Sequence, residues 1–246
     1  MTRKIGVISD IHGNLPALQA VVAALRREGV CEIIHTGDVV DIGPHSAECL
    51  DLITAEGVTA VRGNHDVGYL DGNDKHLPLS HVSGRHKTHV FATLGAERKG
   101  VVASWPYLIF RQIGASKVAF VHYALLDEPK PNGYVFREIA DHPTPEIFDE
   151  MFANVDADAV FFGHKHEPCD LVGKKIYCTV GSVGCHEEAT ANAVLIEEDG
   201  AKWTYRRLRV PYDRNSFKAE MTGGDLPDSQ FLFDFYFDHL GDYFKR

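Results

Sequence analysis

Residues 4–61 alternate between short apolar runs and amphipathic segments, and this alternation limits the chain to few folds. Strands are predicted at 4–9, 32–36 and 58–61, and helices at Leu15–Arg27 and 46–54. Pro16 fits the first turn of the earlier helix, where its missing backbone N–H has no intrahelical partner to lose. Because neighbouring parallel strands need a crossover connection, the pattern predicts a parallel sheet covered by helices.

The second half of the chain changes to short strands with hairpin-like spacing, which is typical of an antiparallel or mixed second sheet. Residues 64–104 are mainly helical in pattern, and 123–145 contain four prolines that predict a long surface loop. A short helix is predicted at 145–154, and strands at 107–111, 117–121, 159–162, 171–172, 176–180, 193–197 and 203–209. The predicted fold class is α/β: a two-sheet sandwich of mixed sheets with helices on the outer faces.

The chain contains no repeat, no low-complexity tract and no clear linker, so residues 1–246 are predicted to form a single domain. Residues 211–246 are interpreted as a C-terminal extension of that domain. Its aromatic stretch at 231–237 is too apolar to remain in water. We therefore expect the extension to pack on the domain or, alternatively, on a partner chain in a homo-oligomer.

Charge and cysteine content narrow the classes of partner. The formal net charge of −10 argues against stable nucleic-acid binding, because phosphate backbones are bound by clustered Lys and Arg. The five cysteines show no CxxC spacing, which favours reduced thiols. The first residues show no signal-peptide pattern, and no apolar run is long enough to span a bilayer. The expectation is a cytoplasmic protein without a membrane partner.

Polar residues with metal-ligand chemistry follow most of the predicted strands. Asp38 comes after the apolar run 32–36, where an uncompensated buried carboxylate would be unfavourable without a cation. The other members of the pattern are Asp10, His12, Asn64, His65, His122, His164 and His166. Ligands bind at the carboxyl ends of strands in open α/β sheets. We therefore expect Asp38 to bridge two metal ions that the remaining side chains complete.

Each ligand candidate also has an ordinary structural interpretation. Asp10 could cap the helix Leu15–Arg27, and Asn64 could be a turn residue. His122 could be a buried, hydrogen-bonded histidine. The oxygen and imidazole donors, with no thiolate among them, suit manganese, iron, zinc or related divalent ions.

Five motifs resemble the signature blocks of the calcineurin-like metallophosphoesterases, and they occur in the same order. They are Asp-Ile-His at 10–12, Gly-Asp at 37–38, Gly-Asn-His-Asp at 63–66, His122, and Gly-His-Lys-His at 163–166. The resemblance covers about residues 3–210 and is greatest to the small bacterial and archaeal branch, which often has Gly-Ser-Val-Gly as at 181–184. Tyr123 stands where relatives commonly have glycine.

The resemblance implies a dinuclear metal centre and phosphoesterase activity. It assigns Asp10, His12, Asp38 and His166 to one metal, and Asp38, Asn64, His122 and His164 to the other. Mn²⁺ is expected, with Fe, Zn, Ni or Co as alternatives. The implied reaction is hydrolysis of a phosphomonoester or phosphodiester by a metal-bridging hydroxide. The implied substrate is a small phosphorylated molecule or a nucleotide.

Two further residues match catalytic positions of the family. His65 is the candidate general acid, and Asp41 matches the position that orients this histidine in the protein phosphatase branch. Arg62 matches an arginine of that branch and is either a substrate contact or an exposed loop residue, whereas Ile42 replaces its phosphate-clamping arginine. The alternatives are a dinucleoside polyphosphate hydrolase, a protein phosphatase, or a non-catalytic metal-binding scaffold.

A group of histidines lies outside the five motifs. His81, His86 and His89 have near-helical spacing and are interpreted as lining the entrance of the cleft.

Overall fold

The computed structural model describes residues 2–71, 82–130 and 133–238. Ten strands and seven helices are present in these ranges. The strands are β1 (Arg3–Ile8), β2 (Glu32–His35), β3 (Thr59–Ala60), β4 (Leu108–Ile113), β5 (Ser116–Val121), β6 (Ala159–Phe162), β7 (Cys169–Val172), β8 (Ile176–Thr179), β9 (Thr190–Asp199) and β10 (Lys202–Pro211). The helices are α1 (Leu15–Arg27), α2 (Ser46–Ala55), α3 (Asn64–Asp71), α4 (Gly84–Ser104), α5 (Pro145–Met151), α6 (Arg214–Gly223) and α7 (Ser229–Phe233).

The strands form two five-stranded mixed sheets, ordered β10-β9-β1-β2-β3 and β4-β5-β6-β8-β7. In the first sheet β1, β2 and β3 are parallel, and in the second β5, β6 and β8 are parallel. Helices α1, α2 and α4 cover the outer face of the first sheet, and α5 covers that of the second. The predicted α/β fold of two mixed sheets with outer helices is confirmed.

One strand assignment was wrong. The hairpin β9–β10 belongs to the first sheet, where β9 pairs antiparallel with β1, and not to the second sheet. Residues 191–196 of β9 are buried one after another, so both faces of this strand are covered. An interior strand of this kind must pair on both sides, and the edge of β1 offers the first sheet's free hydrogen-bonding groups.

Apolar side chains from both sheets fill the space between them. Ile5 and Val194 of the first sheet meet Phe120 and Phe161 of the second, and all four side chains are fully buried. The aromatic rings of Phe120 and Phe161 stack with centroids 5.6 Å apart. This shared core fixes the two sheets against each other, so that the ends of their parallel strands lie along one edge of the sandwich.

The predicted loop 123–145 contains no regular strand or helix among its described residues before α5, apart from an isolated bridge between Leu125 and Phe136. Residues 131–132 lie outside the described ranges. Phe136 and Tyr134 are nevertheless buried in the outer core of the second sheet. The segment is therefore an irregular but packed part of the domain.

The described residues after β10 pack beside the strand ends. Helices α6 and α7 and a π-helical turn, Asp234–Asp238, bury Phe217, Phe233 and Phe237. These rings form one apolar cluster with Ile42 and Cys185. Residues 214–238 are the described helical part of the C-terminal extension predicted at 211–246. It forms one wall next to the loops that follow β2 and β8. Within the described ranges, no helix has the length and hydropathy that crossing a membrane requires.

Replacement of Phe233 by alanine tests how much this packing stabilises the fold. Phe233 is fully buried and its ring stacks on that of Phe237 at 5.1 Å. We expect Phe233→Ala to lower the free energy of unfolding by about 3–5 kcal/mol, because a buried aromatic ring leaves a cavity. Urea denaturation measures the change. Phe231 is 52% exposed, so Phe231→Ala should change stability by less than about 0.5 kcal/mol. Equal effects of both variants would contradict this packing.

Candidate metal centre

The loops that follow five strands meet at one edge of the sandwich. Asp10 and His12 follow β1, and Asp38 follows β2. The backbone N–H of Asp10 donates to the Gly37 carbonyl at 3.0 Å, and that of His12 donates to the Asp38 carbonyl at 3.2 Å. Asn64 is the first residue of α3 after β3, His122 follows β5, and His164 and His166 follow β6. The parallel strands therefore deliver every predicted ligand residue to the same place.

Much of the backbone at this edge is left-handed. Five of the candidate ligand residues have φ between 47° and 73°. They are Asp10, His12, Asp38, His164 and His166. Non-glycine residues adopt this region at an energetic cost and do so most often at functional sites. The glycines of the motifs allow the close approach: Gly37 has φ 105°, and a Cβ there would lie 2.6 Å from His122 Nδ1.

One cluster of donor atoms is formed by His12, His166, Asp10 and Asp38. Nε2 of His12 lies 3.0 Å from Nε2 of His166 and 3.8 Å from Oδ2 of Asp38. Oδ1 of Asp10 lies 3.9 Å from His12 Nε2 and 3.5 Å from His166 Nε2. Four donor atoms at these separations fit around one cation, because metal–ligand bonds of about 2.0–2.2 Å place neighbouring ligands at such distances.

A second cluster is centred on His122. Its Nε2 lies 3.2 Å from Asp38 Oδ2, 2.8 Å from Asn64 Oδ1 and 3.1 Å from His164 Nδ1. Oδ2 of Asp38 is thus a member of both clusters. Asp38 is buried, with 1% of its surface exposed, and it is the single residue that the two clusters share.

The hydrogen bonds of His122 test whether a cation fits there. Its Nδ1 lies 2.9 Å from the carbonyl oxygen of Thr36, which can only accept, so Nδ1 carries the hydrogen. In the neutral ring Nε2 then presents a lone pair to the oxygens of Asp38 and Asn64. Burial lowers the pKa of His122, but Asp38 and its neighbours outweigh this and raise it to about 9. A positive charge at this point is what the surroundings favour, and a divalent cation supplies it.

The carboxylates of Asp10 and Asp38 also favour a positive charge at this place. Burial raises the pKa of Asp10 to about 7; His122 opposes this rise and the charge of Asp38 adds to it. Burial also opposes ionisation of Asp38, but His122 and His65 outweigh it and hold its pKa well below the usual value. Two buried carboxylates so close together are stabilised by a bound cation.

Beside the two clusters lies a hydrogen-bonded pair, His65 and Asp41. Nδ1 of His65 donates to Asp41 Oδ2 at 2.8 Å, and the rings of His65 and His12 meet edge to face at 4.8 Å. Burial lowers the pKa of His65, but the charge of Asp38 and the bond to Asp41 raise it overall. The bond to Asp41 leaves the other ring nitrogen of His65 for a ligand of the cleft.

Comparison with known proteins connects this geometry to a family. The family model for calcineurin-like phosphoesterases matches residues 3–168. The chain belongs to the calcineurin-like phosphoesterase family. Members of this family use divalent metals. The Asp and His side chains of the two clusters are candidate ligands for such ions.

Bacterial and archaeal proteins are among those that this calcineurin-like chain resembles. It is 28% identical to an uncharacterized protein of Methanocaldococcus jannaschii, over 91% of this chain and 94% of that protein. A crystal structure of a metallophosphoesterase from Sphaerobacter thermophilus is 25% identical with a TM-score of 0.68, covering 94% and 98% of the two chains. A hypothetical protein from Pyrococcus horikoshii shares the fold, with a TM-score of 0.77, 19% identity and coverage of 96% and 98%. The predicted family and branch are confirmed.

The side chain of Arg62 is held by contacts within the protein. Its Nε donates to the Trp105 carbonyl at 2.6 Å, and its guanidinium carbon lies 4.4 Å from the ring centroid of Tyr107.

Of the histidines interpreted as lining the entrance, His86 is buried and His89 is exposed, whereas His81 lies outside the described ranges. His86 therefore packs in the protein interior against Asp41 and does not face an open cleft.

The structure adds Cys185 to the surroundings of the first cluster. Its Sγ and ligand atoms of His12 and His166 all lie within 4.8 Å of one another. Burial raises the pKa of the Cys185 thiol well above its ordinary value, so it lies there as a neutral group. Cys185 directly follows the Gly-Ser-Val-Gly stretch at 181–184, and the loop after β8 brings it to the calcineurin-like centre.

Asp66 is a further residue that the sequence motif contained without a role. Its side chain accepts from the backbone N–H groups of Asp38 at 2.8 Å, Val39 at 3.0 Å and Gly63 at 2.9 Å. Burial and the charge of Asp38 raise the pKa of Asp66 to about 6. Asp66 thereby ties the loop after β2 to the loop after β3 and holds the backbone of the shared residue Asp38.

Loss of the Asp66 side chain should destabilise the fold of this protein. Asp66→Ala leaves three buried N–H groups without an acceptor, and we expect the free energy of unfolding to fall by about 3–5 kcal/mol. Urea denaturation of metal-free protein measures it. The matched control is Asp51→Ala, because Asp51 is exposed on α2 and pairs with Arg98 at the surface. A midpoint for Asp66→Ala equal to that of the control would contradict the tie.

Proposed function

We propose that this protein is a metal-dependent phosphoesterase that hydrolyses phosphomonoesters or phosphodiesters of small molecules, nucleotides included. The observation that carries the proposal is the position of Asp38 Oδ2, which lies 3.8 Å from His12 Nε2 in one cluster and 3.2 Å from His122 Nε2 in the other, separations that two ligands of one cation can have. A carboxylate shared by two sets of Asp, Asn and His donors is the arrangement that a two-metal hydrolytic site requires.

In this proposal one cation is held by Asp10, His12, Asp38 and His166, and the other by Asp38, Asn64, His122 and His164. Two divalent cations held there would polarise a phosphoryl group and activate water for attack on it. The mixed oxygen and nitrogen donors suit Mn²⁺, with Fe, Zn, Ni or Co as alternatives. The Nδ1–H of His122 bonds the Thr36 carbonyl, which orients its Nε2 towards the cation position.

The protein's own acid would be His65. Protonation of a poor leaving group, such as an alkoxide, requires a positioned proton donor near the scissile bond. Asp41 fixes the ring of His65 through Nδ1 and favours its charged form, so that the remaining nitrogen, Nε2, is the donor to the leaving oxygen. The proton would thus pass from Nε2 of His65 to the departing alcohol.

The walls of the site favour a small substrate. The ligand side chains of Asp10, His12, Asp38 and His122 are at most 1% exposed, and the C-terminal extension packs on Ile42 beside them. Ile42 occupies the position where the protein phosphatase branch has an arginine, and it is buried in an apolar cluster. A folded phosphoprotein would have little access to such a centre, so small phosphate esters are the preferred class.

The test is an assay of metal-stripped protein reconstituted with Mn²⁺ on a panel of phosphomonoesters, phosphodiesters and nucleotides. A dinucleoside polyphosphate and a phosphopeptide in the same panel represent the two alternative hydrolase functions. We expect metal-dependent turnover of at least one small ester, and no turnover by the stripped protein. Two bound metals without turnover of any substrate would instead support a non-catalytic scaffold.

A further inference from the structure

We propose that His86 is a positioning residue for the acid His65, and that it makes the acid function depend on the C-terminal extension. This inference rests on the proposed function, since it concerns the residue assigned there as the proton donor. Three side chains and one carbonyl form a continuous buried chain: His65, Asp41, His86 and the carbonyl of Pro227.

The contacts of His86 place it between the acid pair and the extension. Its side chain is fully buried. Nε2 lies 3.2 Å from Asp41 Oδ1, and Nδ1 donates to the carbonyl of Pro227 at 2.9 Å. Because the Pro227 carbonyl can only accept, Nδ1 of His86 carries a hydrogen, and Nε2 faces the carboxylate of Asp41 at contact distance without completing a hydrogen bond to it. His86 thus touches Asp41 on one side and is hydrogen-bonded to the extension on the other.

Asp41 is held on each of its oxygens. Oδ2 accepts from His65, and Oδ1 faces His86 and accepts from the backbone N–H of Ile42 at 2.9 Å. The backbone here is left-handed, with φ of 76° at Asp41 and 66° at Ile42, and Ser46 Oγ accepts from the Asp41 N–H. The backbone thus fixes the position of the Asp41 side chain, and His86 fixes the orientation of its carboxylate relative to His65.

The extension holds His86 from the other side. Pro227 lies in the turn before α7, and the neighbouring Asp228 carboxylate accepts from Ser83 Oγ, the residue that caps α4. Val82 and Val90, on either side of His86 in the chain, pack in the same apolar cluster as Leu226. The first turn of α4 is therefore clamped by the extension, and a loss of this clamp would be transmitted to Asp41 through one imidazole ring.

His86→Phe, His86→Gln and the control His89→Phe test the proposal. Phenylalanine keeps an aromatic ring without donors, glutamine keeps one donor, and His89 is exposed on the same helix. With an alkyl phosphate ester, we expect His86→Phe to lower kcat about 10–100-fold with KM and metal content unchanged, by analogy with lost partners of metal ligands. With a nitrophenyl ester, which needs no acid, the loss should be small. His86→Gln should recover part of the loss, and His89→Phe should match the parent protein.

A second readout is independent of turnover. In ¹⁵N-labelled protein, the Nδ1–H of His65 should be protected from solvent exchange in the parent and exchange faster in His86→Phe. Equal kcat losses on both esters, or unchanged exchange, would overturn the positioning role. If His86→Phe does not fold, the intermediate loss expected of His86→Gln on the alkyl ester alone serves the same purpose, and a parent-like His86→Gln overturns it. If the parent itself hydrolyses nothing, the proposed function fails. The exchange measurement still shows whether His86 positions the Asp41–His65 pair.

Discussion

Asp38→Asn should remove metal from the protein and lower kcat/KM by on the order of 10³-fold or more, because metal ions contribute several kcal/mol of charge stabilisation in phosphoryl transfer. The substitution takes away the negative charge that both donor clusters share. It keeps an oxygen in place, and Oδ1 of Asp38 presently accepts from the His65 backbone N–H at 2.8 Å. The loop should therefore keep its hydrogen bond while the cation positions lose their common ligand.

Metal content per chain, measured by elemental analysis after reconstitution with Mn²⁺, separates the two effects. We expect the parent to bind two ions and Asp38→Asn to bind fewer. Asp51→Asn is the matched control, since Asp51 is an exposed aspartate that pairs with Arg98 away from the strand ends. Two ions retained in Asp38→Asn, with activity near that of the parent, would refute the shared ligand.

The second large effect is expected for His65→Asn. This variant should lose about 10²–10⁴-fold in kcat on an alkyl phosphate ester, the typical contribution of a general acid. It should lose much less on a nitrophenyl ester, because nitrophenolate departs without protonation. Its metal content should be unchanged: a ligand atom of His65 lies within 4.8 Å of those of His12 and Asp38, but the ring is bonded to Asp41 and the proposal assigns it to neither cation.

Kinetics on the two esters, with the same batch of reconstituted protein, measure the difference. His142→Asn is a suitable control, because His142 is exposed in the irregular segment before α5. An equal loss on both esters would remove the acid assignment and point instead to a role of His65 in substrate binding or in the packing against His12.

The positions of the candidate ligand residues could be predicted because they depend on local patterns. Each Asp, Asn or His follows a strand whose apolar run is legible in the sequence, and parallel strands end at a common edge. The fold places Asp10 Oδ1 3.5 Å from His166 Nε2, although the two residues follow different strands far apart in the chain. Only the order of the motifs and the fold class were needed to expect this convergence.

The remainder depends on contacts that leave no local pattern. Strand β9 reads equally well as part of either sheet, and its pairing with β1 is decided by tertiary packing. Asp66 acts by accepting backbone N–H groups, which any sequence offers. His86 contacts Asp41 because the extension holds α4 in place. The near-helical spacing of His86 and His89 indicated a helix but not which of its faces is buried.

The most direct test of the central claim is an anomalous difference map from crystals of the protein loaded with Mn²⁺. Two peaks about 3.5–4 Å apart are expected, the usual separation in two-metal sites, with Asp38 Oδ2 between them. His12 and His166 should lie beside one peak, and His122 and His164 beside the other. A single peak, or two peaks that do not share Asp38, would contradict the account.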